Sequence, residues 1–213
     1  MIGHTFSLYV AGHETTANAL TWAIFLLVQH PDIHSSVMEE LNTVLKGSPP
    51  TPRQLSELPL LDGVVKESLR LLPPAGIGTR IAAAPCALGG YSLPERTNVF
   101  FSQFITHRLP ELYEEPDRFK PQRWETIKPS AFEYLPFSAG PHMCIGWHFA
   151  MQELKIVLAV LLQRYRLSVV HDAAISPNLM MRPVRGLPMR IGPHDGRFER
   201  VPVRGTINRM IEF

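Results

Sequence analysis

Cysteine is scarce: the 213 residues contain only Cys86 and Cys144, far apart and with no C-x-x-C pair. This usage supports neither a disulfide scaffold nor a zinc ribbon and fits a reducing compartment. Long apolar runs are missing as well. The longest, Ala19 to Val28 interrupted only by Thr21, is too short to span a bilayer, and the N-terminus lacks a signal-peptide layout. The segment therefore reads as soluble and cytoplasmic, with no membrane association encoded in it. There is no Lys/Arg block with interleaved aromatics, and a net charge of +2 makes no electrostatic case for nucleic acid. No internal repeat is found. What remains is a globular balance, 45% hydrophobic and 19% charged, in a chain long enough for one sizeable core. Proline is abundant at 20 residues, nearly all of them between positions 49 and 141 and from 177 onward, which predicts long ordered loops.

Periodicity and turn residues divide the chain into helices with small β-hairpins, a mainly α member of the α+β class. Residues 1–30 read as helix from the second or third residue onward. Pro31 opens a second helix, with Ile33, Val37, Leu41, Val44 and Leu45 on one face and Gly47 ending it. S-P-P-T-P at 48–52 is a turn in which Thr51 can cap a short helix running to Leu58. A further helix covers Leu61 to Leu72 and stops at Pro73 and Pro74. From Gly76 to Phe101, short alternating stretches with G-G and L-P-E-R turns predict hairpins, in which Cys86 reads as a small packed residue. Residues 104–121 start as a short helix and become an irregular Pro-rich run. A long helix then runs to about Arg164, with Phe149, Leu154, Val157, Leu158 and Leu161 on one face. Residues 165–191 read as strands and turns, where Val169, Leu179, Met180 and Met181 either line a pocket or, more simply, pack in the core. The boundary expected from these patterns separates residues 1–191 from a polar, Arg-rich tail at 192–213.

Three stretches carry candidate chemistry. Leu135 to Ala150, L-P-F-S-A-G-P-H-M-C-I-G-W-H-F-A, places Cys144 where a Pro- and Gly-broken loop becomes a helix N-terminus. Unpaired backbone N–H groups and the helix dipole there favour a thiolate, the form that binds metal, although a lone cysteine also serves as a small hydrophobe. In A-G-H-E-T-T, Ala11 to Thr16, a glycine and two threonines would weaken a helix unless something gains from the distortion; a plain Thr-rich face is the other reading. In K-E-S-L-R-L-L-P-P at 66–74, Glu67 and Arg70 share a helix face, a pair that is worth little if exposed. By their residue types alone, Arg80 is a surface charge and His142 a plain loop histidine.

The spacing Phe137, Gly140, His142, Cys144, Gly146 matches F-x-x-G-x-H/R-x-C-x-G and resembles the haem-binding loop of the cytochromes P450. Three further motifs follow the order found in that family. Ala11, Gly12, Glu14 and Thr15 look like its distal-helix motif A-G-x-D/E-T, Glu67 and Arg70 like its E-x-x-R pair, and Arg123 in F-K-P-Q-R-W like the arginine that locks that pair. Gln122 departs from the usual glutamate before this arginine, without touching the triad. The resemblance implies a haem b cofactor (iron protoporphyrin IX) with Cys144 as axial ligand, its thiolate pushing electron density toward iron. It further implies that Arg80 and His142 pair with the propionates. The small residues Ala11 and Gly12 would leave a groove for oxygen, while Glu14 and Thr15 relay protons. A buried Glu67–Arg70–Arg123 triad would brace the loop, a role in assembly and not in chemistry. The implied activity is a haem-thiolate monooxygenase, taking O₂ and an apolar small molecule with electrons from a ferredoxin or flavoprotein reductase.

The resemblance covers roughly residues 1–191 and corresponds to the C-terminal half of the family's fold, so either a piece of a longer protein or a truncated gene product is expected. The alternatives are a non-catalytic remnant or haem-binding or interaction module and, within haem-thiolate chemistry, a peroxide-dependent peroxygenase, against which the Glu14–Thr15 pair argues.

Overall fold

Two prolines divide the helical part of the chain. The computed structural model, which describes residues 2–170, 172–176 and 180–213, begins with helix α1, Ile2–Gln29. Its end is set by Pro31: His30, the residue before the proline, has left the helical region at φ −126°, ψ 79°. Pro31 then serves as the first residue of α2, Pro31–Leu45, where its missing N–H costs nothing. Helix α2 closes with Lys46 and Gly47, both at positive φ, and buries Val37, Met38, Leu41 and Leu45. Ile33 and Val44, also expected on the apolar face, pack partly buried against the core. A reciprocal pair of bonds then forms a capping box, from the Thr51 amide to Gln54 Oε1 and from the Gln54 amide to Thr51 Oγ1, ahead of a 3₁₀ turn at Gln54–Glu57.

Helix α3, Pro59–Leu71, begins two residues earlier than the apolar period suggested, because Pro59 occupies its first turn. Its N-terminus is capped from α2, with the Glu40 carboxylate accepting from the amides of Leu60 at 2.7 Å and Leu61 at 2.9 Å. The last long helix, α5 at Trp147–Arg164, packs on α1, α2 and α3. Trp22, Phe25 and Leu26 of α1, Leu41 of α2, Leu61 and Val64 of α3 and Leu158 of α5 meet in one core with no solvent exposure. Between α3 and α5 lie the short helix α4, Gln103–Thr106, and an irregular run containing a 3₁₀ turn at Pro121–Glu125.

The strands form small antiparallel pairs. Strands β1 (Gly78–Ile81) and β4 (Asn98–Phe101) pair with Arg80 opposite Val99. Strands β2 (Cys86–Leu88) and β3 (Tyr91–Leu93) form a hairpin whose Gly89 and Gly90 both take positive φ, as a two-residue type I′ loop requires. Strands β5 (Tyr165–Val169) and β6 (Met189–Pro193) form the third pair. Among the described residues no helix is long and apolar enough to cross a membrane.

Three expectations change, while the core reading of Val169 and Met181 holds. Cys86 is exposed on β2, not packed, because that hairpin stands off the core. Phe149 is 72% exposed, and the buried face of α5 is instead Leu154, Leu158, Ala159 and Leu162. Val169 and Met181 are core residues, whereas Leu179 lies outside the described residues. Residues 201–213 do not hang free: Val203, Ile207 and Ile211 are buried, and the Gln29 side chain donates to the Val201 carbonyl at 3.0 Å. The four-residue spacing of those apolar positions is masked in the sequence by the arginines between them.

Candidate functional site

The Glu67 carboxylate is completely enclosed, and an anion stripped of water needs donors on both oxygens. Arg70 supplies a fork, Nη2 to Oε1 at 2.8 Å and Nε to Oε2 at 2.9 Å. Arg123 Nε adds 2.9 Å to Oε1, the Lys120 amide 3.1 Å to the same atom, and the Trp124 indole N–H 3.0 Å to Oε2. The two guanidinium groups are satisfied in turn by backbone carbonyls: Arg70 Nη1 donates to His107 and Pro116, and Arg123 Nη1 to Glu114. Glu67, Arg70 and Arg123 thus form one buried cluster joining α3 to the irregular run.

From this cluster the chain reaches the loop that carries Cys144. The Tyr134 hydroxyl donates to the Lys66 carbonyl at 3.0 Å, and the Leu135 amide donates to His107 Nε2 at 2.8 Å. Burial raises the Tyr134 hydroxyl well above its ordinary pKa and pushes the His107 imidazole down to about 3, so both are neutral struts. After Pro136 the loop turns through Ser138 and Gly140, both at positive φ, into a 3₁₀ turn at Gly140–His142. The Cys144 amide then donates back to the Phe137 carbonyl at 2.9 Å, closing the loop on itself. Gly146 is the N-cap of α5, so Cys144 stands two residues ahead of the cap. A Cβ on Gly146 would lie 3.8 Å from the Cys144 sulfur, an ordinary contact.

The Cys144 thiol is exposed and free, and its flanks are apolar: Ile145 is 94% exposed, with Met143 and Phe149 open beside it. Phe137 is partly buried against the core. His142 is exposed on the loop, and Arg80 is exposed on β1 with its guanidinium over the Phe101 ring and Nη1 donating to the Thr79 carbonyl. Among the described residues no acidic side chain pairs with Arg80 or His142.

Ala11, Gly12 and Glu14 lie on the exposed N-terminal part of α1, and Thr15 is half-buried. The helix runs through the motif unbroken, and the Thr15 hydroxyl donates to the Ala11 carbonyl at 2.5 Å. Nothing lies within 4 Å of a Cβ placed on Gly12, so that face is open. Glu14 forms a half-exposed ion pair with Arg182 at 3.3 Å. Among the described residues no hydrogen bond or ion pair joins Arg80, His142 or the Glu14–Thr15 pair to Cys144.

Sequence reasoning missed His107, Trp124 and Tyr134. Trp124 had one signal, since a buried indole N–H needs an acceptor and it adjoins Arg123. The other two act across 28 and 68 residues, with no periodic trace.

The cytochrome P450 family description matches residues 2–194. Relatives include a pentalenene oxygenase of Streptomyces avermitilis, 40% identical over 80% of this chain and 39% of that protein. A cyclooctat-9-en-7-ol 5-monooxygenase of Streptomyces melanosporofaciens is 38% identical over 80% of this chain and 38% of its own length. Cytochrome P450 4c21 of Blattella germanica is 37% identical over 88% of this chain and 39% of its length. The chain belongs to the cytochrome P450 family, and it spans about two fifths of the length of these relatives.

Membership implies a haem cofactor, and the residues present fit one. Among the described residues no group of three or more His, Cys, Asp or Glu could hold a metal ion. A single exposed thiol suits only a metal that brings its other donors with it. Apolar side chains left open near that thiol suit a flat macrocycle, and N–H donors without acidic partners, Arg80 and His142, suit its carboxylates.

Proposed function

We propose that this chain provides the thiolate loop, the oxygen-side helix and the supporting charge cluster of a haem-thiolate monooxygenase that binds haem b. Cys144 Sγ would ligate the iron, with Phe137, Gly140 and Gly146 shaping the loop around it. Arg80 and His142 would hold the propionates. When bound, the haem would supply oxygen activation, and the thiolate of Cys144 would favour O–O cleavage by donating electron density.

The chain's own part in that chemistry is to move protons and exclude water. Thr15 Oγ1 gives its hydrogen to the Ala11 carbonyl, which leaves its lone pairs free to accept from a donor on the open face beside Gly12. Once it leaves Arg182, an exchange that a half-exposed ion pair makes cheap, the Glu14 carboxylate would take a proton from solvent and pass it to such a donor. The reaction inserts one oxygen atom of O₂ into an apolar small molecule, with electrons from a ferredoxin or flavoprotein reductase. Relatives named for pentalenene and cyclooctat-9-en-7-ol support an apolar substrate.

The observation that carries this reading is one free, open thiol on a loop anchored to a fully buried charge cluster. Reduced, CO-treated protein is expected to show the thiolate-type Soret shift, and Cys144→Ala to lose it. Absence of the shift in the parent, or its survival in the variant, overturns the proposal.

A further inference from the structure

His107 has no solvent exposure, and each of its ring nitrogens has one backbone partner. The Leu135 amide can only donate, so Nε2, 2.8 Å away, must be the acceptor. The ring proton is therefore on Nδ1, which faces the Arg70 carbonyl at 3.1 Å, a group that can only accept. One tautomer satisfies both contacts, and the other satisfies neither. Arg70 returns the connection, its Nη1 donating to the His107 carbonyl at 2.7 Å, and the rings of Tyr113 and Tyr134 close over the imidazole.

We infer that His107 is a positioning residue for the thiol loop: its neutral Nδ1–H tautomer couples the Arg70 carbonyl of the charge cluster to the Leu135 amide where the loop of Cys144 begins. The inference rests on reading Cys144 as the ligand. Among the described residues no hydrogen bond or ion pair joins the cluster to the Cys144 side chain. Its rigidity reaches the loop through Leu135, with Tyr134 to Lys66 as a parallel tie one residue earlier. Burial first, and then the guanidinium groups of Arg70 from α3 and Arg108 beside it in sequence, keep the imidazole neutral, against the pull of the nearby Glu67 carboxylate that Arg70 already neutralises. A positive ring would face two guanidinium groups and lose its acceptor.

Two measurements on the full chain without haem test this separately from the CO spectrum. Nitrogen-15 NMR of histidine-labelled protein at neutral pH is expected to show a neutral ring protonated on Nδ1 that is missing from the spectrum of His107→Asn, which separates it from His30, whose Nδ1 also faces a carbonyl, that of Leu26, at 2.7 Å; if no such signal is lost in the variant, the inference fails. Hydrogen exchange is expected to quicken at least about tenfold at Leu135 and through the loop to Cys144 in His107→Phe. The helices spanning residues 19–45 should keep their protection, and iodoacetamide should reach Cys144 faster. His107→Asn, which retains a donor and an acceptor on a short side chain, should recover most of the protection. Unchanged exchange at Leu135, or equal loss in helices and loop, overturns the inference. If His107→Phe does not fold, the tautomer and the protection in His107→Asn decide.

Discussion

The Glu67 cluster and the Cys144 loop lie in the same chain under opposite rules. Around Glu67 every charge is buried and matched, whereas around Cys144 the side chains stand open, and the backbone turns through positive φ at Ser138 and Gly140. Binding energy for a prosthetic group has to come from surface that is not already satisfied, so under the proposed function the loop of Cys144 is left unfinished and takes its rigidity from a completed neighbour. The sharpest way to break this division is Glu67→Ala. It leaves Arg70 and Arg123 buried without their carboxylate, and removing one partner of a buried ion pair costs about 3–5 kcal/mol. Denaturant titration is expected to show a loss of that size, with the Trp124 indole also left without its acceptor. A loss below about 1 kcal/mol would place the cluster among ordinary surface pairs.

Acid probes the connection between the two regions. His107 is held down to about 3 by burial, against an ordinary value of 6.5, so between those values the unfolded chain binds a proton that the folded chain refuses. Stability therefore rises with pH through this window, is complete above about 6.5, and is lost as pH falls toward 3. The full effect is on the order of a few kcal/mol. His34, lowered to about 4 by burial, and His30, lowered by the same cause, act in the same direction from the α2 side. The His107 share is thus the part of the slope that disappears in His107→Asn. Denaturant midpoints measured from pH 7 down to pH 4 should diverge less steeply from the neutral value in the variant than in the parent; parallel curves would remove His107 from the account.

Much of the completed region was legible in sequence, and less of the unfinished one. Glu67 and Arg70 share a helix turn, and Arg123 follows from the family resemblance, so the cluster could be named before any coordinates. The struts could not, because His107 and Tyr134 reach distant backbone atoms and leave no period. Cys86 and Phe149 were misjudged for a related reason. Apolar pattern shows that a side chain could be buried, not whether anything lies against it, and β2 and the first turn of α5 have open space where a neighbour was assumed. The last residues erred the other way, since arginines lowered the mean hydropathy of a segment whose Val203, Ile207 and Ile211 are core.

Glycines give the smallest and most discriminating comparison. In an exposed helix, replacing Gly with Ala gains about 1 kcal/mol. Gly63 of α3 has no room for it: its Cβ would sit 2.7 Å from the Pro121 carbonyl oxygen, and Pro121 opens the 3₁₀ turn that presents Arg123. Backbone must shift, at a cost of about 1–3 kcal/mol that outweighs the propensity gain. Gly12 of α1 meets nothing, so Gly12→Ala should raise the denaturation midpoint by up to about 1 kcal/mol equivalent while Gly63→Ala lowers it. The same methyl on Gly12 would enter the groove proposed for oxygen, so the more stable variant should bind CO more weakly once loaded with haem. A Gly12→Ala protein that gained stability and kept full CO affinity would show that the open face of α1 lies clear of the ligand, and would detach A-G-H-E-T-T from the site that Cys144 anchors.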